Sequence, residues 1–294
     1  MLAIVGTVPD QDFPLTEGKI TLKNDKIFIH GKQIPVNRGT PALMAAAIQA
    51  RNMMGNTELY GFLTGDIGLG NGSRKLYEYL TNHLIEFDFC AIVFHYLQPD
   101  VDWHNRVLFA IYEMKNRPLL IADAGFMYAA KMSGQAPEYD LFTPDMGELA
   151  FLADETAPHP FYTRGFILQE ENKAPDLIAR AYKHDNAARY LLIKGKQDYL
   201  ADRQGLLGKV ESPVDTALEA IGGTGDTLTG LAAALISSKI KIDEAAILAA
   251  RVNRLAGHYA KPTPATQVME IIRYIPKALD KILLKESKNS VVSG

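Results

Sequence analysis

The sequence predicts an α/β fold in which helices flank a doubly wound, mostly parallel central sheet. Short apolar runs with the length of buried strands alternate with longer segments of helical period along most of the 294 residues. The strand candidates are almost continuously apolar, as strands covered by helices on both faces must be. Because no linker-like stretch interrupts this alternation, we expect a single domain over residues 1–294.

The composition narrows the class of protein. Hydrophobic residues make up 47% of the chain and charged residues 22%, which excludes a disordered protein. The formal net charge is only -3, so we expect no nucleic-acid partner. No apolar run is long enough to cross a membrane, and the first residues lack the pattern of a secretory signal. With Cys90 as its single cysteine, the chain is expected to be a cytoplasmic protein without disulfides.

The first third of the chain begins with strands. Residues 3–6 form an apolar run typical of a buried strand. Polar and apolar residues alternate over residues 19–36, which predicts a small N-terminal β-hairpin. Pro41 then begins an Ala-rich helix that runs to Met53, with Thr40 as its N-cap.

Strands and helices alternate over the rest of the chain. Strands are expected at residues 59–63, 89–97, 119–122, 141–142 and 190–193, with a hairpin over 197–210. Helices are expected at residues 74–84, 105–114, 146–153, 226–238, 242–259 and 264–284. In an open parallel sheet the ligand binds beyond the carboxyl ends of the strands, so the residues that follow each strand are the candidate site residues.

The strongest local signal is a glycine-rich turn at residues 222–230, which reads Gly-Gly-Thr-Gly-Asp-Thr-Leu-Thr-Gly and leads into an apolar helix. The free N–H groups at a helix N-terminus favour anions, and glycine lets a phosphate oxygen approach the backbone closely. The residues expected to bind phosphate are Gly222, Gly223, Thr224 and Gly225. A carboxylate next to a bound phosphate is repulsive, so its presence needs a reason. Asp226 has one if it accepts a proton during phosphoryl transfer. The alternative is a tight turn in which Asp226 only caps the helix.

Four motifs, in order, resemble the ribokinase-like superfamily, and within it most closely the nucleotide-dependent NAD(P)H-hydrate dehydratases. The glycine turn is similar to the C-terminal signature of that family. Three further stretches agree with it: Ile-Ala-Asp-Ala-Gly at 121–125, Phe-Thr-Pro-Asp-Met-Gly-Glu-Leu at 142–149 and Leu-Ile-Lys-Gly at 192–195. The resemblance covers roughly residues 119–235 and implies a ribokinase-like fold with a nucleotide bound across the sheet edge.

The resemblance also implies roles and cofactors. Asp226 would be the catalytic base, and the backbone of residues 223–225 would be the anion hole for the transferring phosphoryl group. Asp145 and Glu148 stand where the superfamily organises magnesium, and two acids near phosphates also require a cation on physical grounds. The implied cofactors are therefore ATP or ADP and Mg²⁺. The alternative for the acids is a helix N-terminus that favours negative charge.

Other polar residues are candidates for contacts with the ligands. The resemblance places Lys194 and Gly195 against the nucleotide, although a solvated lysine at a strand end is an equal alternative. The Asn-Arg-Gly-Thr segment at 37–40 precedes a helix and suits an anionic substrate group, with a capped loop as the alternative. The glycine-rich loop at 65–74 is expected to line the acceptor pocket or to be a plain surface loop. The candidate substrate-binding residues are Arg38, Gly39, Asp66 and Asp123.

Three functions fit these motifs. In the dehydratases, the nucleotide phosphorylates a hydroxyl on the hydrated nicotinamide ring, and loss of phosphate restores the double bond. In the related kinases, a sugar or another small hydroxylated metabolite keeps the phosphate. The chain lacks the Gly-Pro-Gly-Leu-Gly loop typical of the dehydratases, and its hairpin at 19–36 resembles the lid of sugar kinases. A nucleotide-binding protein without catalysis is the third interpretation. The resemblance is compatible with a homo-oligomer.

Overall fold

The computed structural model describes residues 1–55, 58–163 and 174–292. The chain divides into two compact units. The first unit comprises Met1–Gly18 and Tyr60–Lys209, and the second comprises Lys19–Leu59 and Val210–Gly294. The expectation of a single domain stays a prediction.

Strands and helices follow one another in the order typical of an α/β chain. The strands are β1 (Leu2–Val8), β2 (Thr16–Lys23), β3 (Lys26–Ile29), β4 (Lys32–Pro35), β5 (Leu59–Gly65), β6 (Ala91–His95), β7 (Leu119–Ala122), β8 (Leu141–Phe142), β9 (Tyr190–Ile193), β10 (Asp198–Asp202) and β11 (Gly205–Val210). The helices are α1 (Thr40–Met53), α2 (Asn71–His83), α3 (Val101–Tyr112), α4 (Ala124–Met132), α5 (Met146–Ala153), α6 (Ala174–Lys183), α7 (Thr224–Ser237), α8 (Ile242–Ala260), α9 (Val268–Ile272) and α10 (Ile275–Val292).

The first unit is built on a mostly parallel sheet with the strand order β11-β10-β9-β8-β7-β6-β1-β5. Strand β6 pairs in parallel with β1 and β7, and the parallel pairing continues through β8 to β9. Strand β10 is antiparallel to β9. Every residue of β1 and β6 is buried, which explains why both strands are apolar except for Thr7 and His95 near their carboxyl ends. The predicted fold class, with its mostly parallel sheet, is confirmed.

An aromatic-rich core fills the space between this sheet and its helices. Phe62, Phe89, Phe94, Phe126 and Phe142 are each at most 1% exposed and belong to one buried cluster with aliphatic residues of α2 to α6. The Phe94 and Phe126 rings stack with their centroids 4.0 Å apart, which joins β6 to α4. This packing holds the carboxyl ends of the parallel strands in a fixed arrangement.

The second unit combines a small antiparallel sheet with a layer of helices. Strands β2, β3 and β4 form consecutive antiparallel pairs, in which Ile20 lies opposite Ile29 and Ile27 opposite Ile34. All four isoleucines are buried, which accounts for the alternating pattern that predicts the hairpin. Helix α1 packs against β3 on one side and against α7, α9 and α10 on others.

Helices α1 and α7 lie side by side and run in the same direction. At their start, a Cβ added to Gly223 would lie 3.2 Å from the Cα of Arg38. Halfway along, a Cβ added to Gly230 would lie 2.2 Å from the Leu43 carbonyl oxygen. At their end, the guanidinium of buried Arg51 donates to the Ser237 hydroxyl at 3.0 Å. The two positive helix ends therefore lie together, an arrangement that favours a negative charge at that point.

Three local predictions differ from the structure. The N-cap of α1 is Gly39 rather than Thr40, which is the first helical residue. The expected helix at 264–284 begins only at Val268, because Gln267 and Glu270 form a capping box there, and it is interrupted between α9 and α10. Helices α4 and α6 were not expected. Among the described residues, no helix has the length and apolar character needed to cross a membrane.

Candidate active site

The glycine turn is the N-terminus of α7. Its N-cap, Gly223, has a φ of 101°, a left-handed conformation that favours glycine. A Cβ there would also lie 3.1 Å from the Val268 side chain, so a larger residue would be both strained and crowded. Because the N-cap is a glycine, it makes no side-chain capping hydrogen bond to this helix. The N–H groups of its first turn are therefore oriented to bind an anion.

Asp226 lies in this first turn and is only 6% exposed. Its Oδ2 atom accepts a hydrogen bond of 2.6 Å from the backbone N–H of Gly39. Gly39 is the N-cap of α1 and has a φ of 67° and a ψ of -149°, a conformation that side chains disfavour. The bond holds the carboxylate in one orientation at the start of both parallel helices.

Arg38 belongs to the same group of residues. A Cβ added to Gly222 would lie 3.7 Å from the Cδ of Arg38, so the arginine stem passes directly beside the turn. The second unit thus brings together all the residues of its sequence-predicted site. These residues are Arg38, Gly39, Gly222, Gly223, Thr224, Gly225 and Asp226.

A second group of polar residues follows adjacent strands of the first unit. Asp123 comes directly after β7, caps α4, and accepts two hydrogen bonds from the Lys194 ammonium, at 2.9 and 2.8 Å. The Asp123 side chain is 2% exposed and that of Lys194 13%, so this is a largely buried ion pair. Lys194 follows β9, and the backbone N–H of Gly195 donates to Asp198 at 3.2 Å. Lys194 thus neutralises Asp123.

Asp145 and Glu148 form a reciprocal capping box at the N-terminus of α5. The Glu148 N–H donates to Asp145 Oδ1 at 2.8 Å, and the Asp145 N–H donates to Glu148 Oε2 at 2.7 Å. The Tyr128 hydroxyl donates to Glu148 Oε1 at 2.7 Å. Both acids lie at the carboxyl end of β8, next to Lys194, which forms a parallel bridge with Asp145.

The environment of Glu148 disfavours its negative charge. Burial raises the pKa of Glu148 to about 7, and the nearby carboxylates of Asp123 and Asp145 act in the same direction, while the Lys194 ammonium opposes them. A divalent cation beside Asp145 and Glu148 would relieve this repulsion, since oxygen donors of carboxylates are the ligands that magnesium prefers. The donor set therefore fits a magnesium ion.

This raised pKa predicts a pH-dependent stability. The folded protein holds a proton on Glu148 that the unfolded chain releases near pH 4.5, so the contribution of Glu148 to stability is lost as the pH rises towards 7. Glu148→Gln keeps the side chain uncharged. We expect the free energy of unfolding of this variant, relative to the wild type, to increase by about 1–2 kcal/mol as the pH rises from 5 to 8. Thermal unfolding without added metal measures this difference.

Glu138→Gln is the control, because the pKa of Glu138 is shifted in the direction opposite to that of Glu148. Hydrogen bonds from Tyr112 and Arg117 hold the pKa of Glu138 below its ordinary value, so removal of this charge should not stabilise the protein at high pH. A difference between Glu148→Gln and the wild type that is constant from pH 5 to pH 8 would contradict the assigned environment of Glu148.

The glycine-rich loop after β5 is organised around Asp66. Its carboxylate accepts hydrogen bonds from the N–H groups of Gly68, Gly70 and Ser73 and from the Ser73 hydroxyl, all at 2.8 to 3.0 Å. Burial acts to raise the pKa of Asp66, but these donors outweigh burial and hold it below its ordinary value. Asp66 thus fixes the shape of its own loop, and its contact with substrate stays a prediction.

Three residues beside these groups were not expected from the sequence. His95, at the end of β6, is fully buried with its Nε2 atom 3.9 Å from Asp123. Tyr128 bonds Glu148, and Asn253 of α8 bonds the first turn of α7. The position of His95 at the end of a buried strand is the only sequence signal among them, because Tyr128 and Asn253 reach their partners through tertiary packing.

Comparisons with known proteins agree with this architecture. The family model described as NAD(P)H-hydrate dehydratase matches residues 98–277. Uncharacterized protein MJ1337 of Methanocaldococcus jannaschii is 41% identical over 242 residues, which are 82% of this chain and 100% of that protein. The ADP-dependent (S)-NAD(P)H-hydrate dehydratase of Cenarchaeum symbiosum is 28% identical over 166 residues, which are 54% of this chain and 52% of that protein.

The solved structures include the ADP/ATP-dependent NAD(P)H-hydrate dehydratase from Bacillus subtilis, co-crystallized with ATP/Mg²⁺. It matches with a TM-score of 0.57 and 14% identity, over 95% of this chain and 89% of that chain. Such matches define the class, an α/β protein with the ribokinase-like fold. Because the family model covers more than half of its residues, the chain belongs to the NAD(P)H-hydrate dehydratase family. The predicted family is confirmed.

Proposed function

We propose that this protein is a nucleotide-dependent NAD(P)H-hydrate dehydratase that uses ADP or ATP. The observation that carries the proposal is the buried Asp226 carboxylate, held by the Gly39 N–H at the glycine-flanked N-terminus of α7. A base beside the N–H groups of a helix N-terminus suits phosphoryl transfer to a hydroxyl. The family membership and the dehydratase names of the relatives support the choice of acceptor.

The proposed reaction has two steps. Asp226 takes the proton of the hydroxyl on the hydrated nicotinamide ring, and the hydroxyl oxygen attacks the terminal phosphorus of the nucleotide, whose bridging P–O bond breaks. The N–H groups of residues 223–225 stabilise the charge on the transferring phosphoryl group. The C–O bond of the phosphate ester then breaks, phosphate leaves with the bonding electrons, and loss of a proton from the adjacent carbon restores the double bond.

Magnesium and the nucleotide are assigned to residues that suit their charges. Asp145 and Glu148 would hold Mg²⁺, directly or through water, and the ion would neutralise charge on the phosphates. Gly222 and the first turn of α7 would bind the phosphates. Lys194 and Gly195 are proposed to lie near the nucleotide, with Lys194 acting through its ion pair with Asp123.

The acceptor is assigned to the remaining polar residues. Arg38 carries a positive charge beside the glycine turn and would pair with an anionic group of the substrate, such as a dinucleotide phosphate. Gly39 would position the base. Asp123 is proposed to contact the acceptor. Asp66 is proposed to act indirectly, by holding its loop in the conformation that contacts the acceptor.

Phosphorus NMR of a complete reaction tests the proposal. The protein is incubated with Mg²⁺, ADP or ATP, and NADH hydrate. Dehydration predicts inorganic phosphate and the nucleotide shortened by one phosphate in equal amounts, formed only when the hydrate is present. Nucleotide turnover that does not depend on the hydrate, or none at all, would contradict it.

A small-molecule kinase is the second candidate function. The observation that favours it is the antiparallel β2–β3–β4 sheet, which resembles the lid strands of sugar kinases. In the same NMR experiment with a panel of sugars and other hydroxylated metabolites, a kinase would yield a lasting phosphomonoester signal. A non-catalytic nucleotide-binding protein would bind ADP or ATP and yield neither product.

A further inference from the structure

Asn253, on helix α8, makes two hydrogen bonds to the first turn of α7. Its Nδ2 atom donates to the Thr224 carbonyl oxygen at 3.0 Å, and its Oδ1 atom lies 2.7 Å from the Thr227 hydroxyl. That hydroxyl also lies 2.8 Å from the Thr224 carbonyl oxygen, so its single proton is shared between the two acceptors. The carboxamide is half-buried and Thr227 is fully buried. We propose that Asn253 is a positioning residue that sets the orientation of the phosphate-binding N–H groups, an inference that rests on the proposed nucleotide function.

A planar peptide unit connects the atom that Asn253 contacts to an N–H group that would bind phosphate. The carbonyl of Thr224 and the N–H of Gly225 belong to one rigid peptide unit and point in opposite directions. A donor that fixes the Thr224 oxygen from the α8 side therefore fixes the Gly225 N–H towards the open end of the helix. Gly225 is one of the N–H donors that would bind the transferring phosphoryl group.

The local sequence explains why this turn needs an external support. Its N-cap, Gly223, has no side chain, and Gly222 and Gly225 add further backbone freedom. The first turn of a helix lacks half of its intrahelical bonds and is the part that frays. By contrast, α3, α4 and α5 begin with the aspartate caps Asp100, Asp123 and Asp145. An aspartate cap at α7 would occupy the N–H groups, whereas Asn253 supports the turn through its carbonyl and leaves them available.

The polarity of the carboxamide makes the inference testable. Only the observed orientation gives a donor to the Thr224 carbonyl and an acceptor to the Thr227 hydroxyl. Asn253→Asp keeps the shape but replaces the donor by an oxygen that repels the carbonyl. Asn253→Ala removes both contacts of Asn253 and leaves the Thr227 hydroxyl as a donor to the Thr224 carbonyl, so Asn253→Asp should have the larger effect. Asn186→Ala is the matched control, because the half-buried Asn186 side chain donates to the Leu152 carbonyl at 3.1 Å in the other unit.

Calorimetry with two nucleotides provides the readout. The probes are ADP and AMP with Mg²⁺, or ATP and ADP if ATP is the donor, and the ratio of the two affinities measures the contribution of the terminal phosphate. We expect Asn253→Asp and Asn253→Ala to lower this ratio by about fivefold or more, with the shorter nucleotide bound within about twofold of the wild type. Asn186→Ala should leave the ratio unchanged, although it also loses a half-buried side-chain hydrogen bond and some thermal stability.

The outcomes separate this inference from the proposed function. An unchanged ratio in folded Asn253 variants of a nucleotide-binding protein would show that Asn253 only joins two helices, and would overturn the inference alone. If the wild type binds the longer nucleotide no more tightly than the shorter one, the glycine turn does not bind the terminal phosphate. That result would overturn the proposed function as well as this inference. If Asn253→Asp does not fold, Asn253→Ala decides the test in the same way.

Discussion

Asp226→Asn is expected to lower the turnover of NADH hydrate by about 10²–10⁴-fold, because the amide cannot accept the proton of the attacking hydroxyl. The substitution keeps the shape of the side chain and an oxygen that can accept the Gly39 N–H, so the first turn of α7 should keep its structure. Nucleotide affinity, measured by calorimetry, should therefore stay within about threefold of the wild type. A large loss of turnover without a loss of binding is typical of a group that acts only in the chemical step.

Asp243→Asn is the matched control for this prediction. Asp243 also lies in the first turn of a helix in the same unit, where a carboxylate favours the helix dipole. If Asp226 served only to stabilise its helix, the two variants would behave alike, with small effects on stability and none on turnover. Turnover of Asp226→Asn within about threefold of the wild type would contradict the assignment of the base.

Gly230→Ala is expected to destabilise the protein by roughly 2–3 kcal/mol. A Cβ at this position would lie 2.2 Å from the carbonyl oxygen of Leu43 and 3.2 Å from its Cα, both backbone atoms of α1. Side-chain rotation cannot relieve such a contact, so α1 and α7 must separate. The higher helix propensity of alanine offsets only about 1 kcal/mol of this cost. Thermal and urea unfolding measure the loss.

Gly147→Ala is the control for the effect of a glycine-to-alanine change in a helix without a backbone clash. This residue lies in the first turn of α5, and a Cβ there would meet only the Asp145 carboxylate at 3.4 Å. Its stability should stay within about 1 kcal/mol of the wild type. Separation of α1 from α7 would also stretch the bond between Gly39 and Asp226, so Gly230→Ala should lose turnover as well. A Gly230→Ala protein as stable and active as the wild type would contradict the close packing of the two helices.

The sequence predicts the buried strands of the first unit well, for a physical reason. Strands covered on both faces are mostly apolar, so the sequence predicts β6, up to His95 at its end, and β7 as apolar runs. For the same reason, the sequence does not predict helix α4. Seven of its nine residues are buried, so its sequence has no polar face and no helical period. The late start of α9 depends on the Gln267 capping box, which competes with the Pro264 signal for a helix start.

The candidate site divides in a similar way. The glycine turn, Asp226 and the residues after β7, β8 and β9 follow from local rules, because glycine and acids at strand and helix ends are visible in the sequence. The partners of these residues are not. The Gly39 N–H that holds Asp226 lies 187 positions away, and the Asp123–Lys194 ion pair joins residues 71 positions apart. Such pairings depend on the tertiary arrangement, which a single sequence does not encode in any local pattern.

Absorbance at the reduced nicotinamide band is the most direct test of the central claim. Purified protein is mixed with Mg²⁺ and enzymatically prepared NADH hydrate, and ADP or ATP is then added. The proposed function predicts a rise in absorbance that starts only with the nucleotide and is lost in Asp226→Asn. No rise with the wild type, under conditions in which calorimetry shows bound nucleotide, would contradict the dehydratase function and leave a kinase of another hydroxylated metabolite as the function to test.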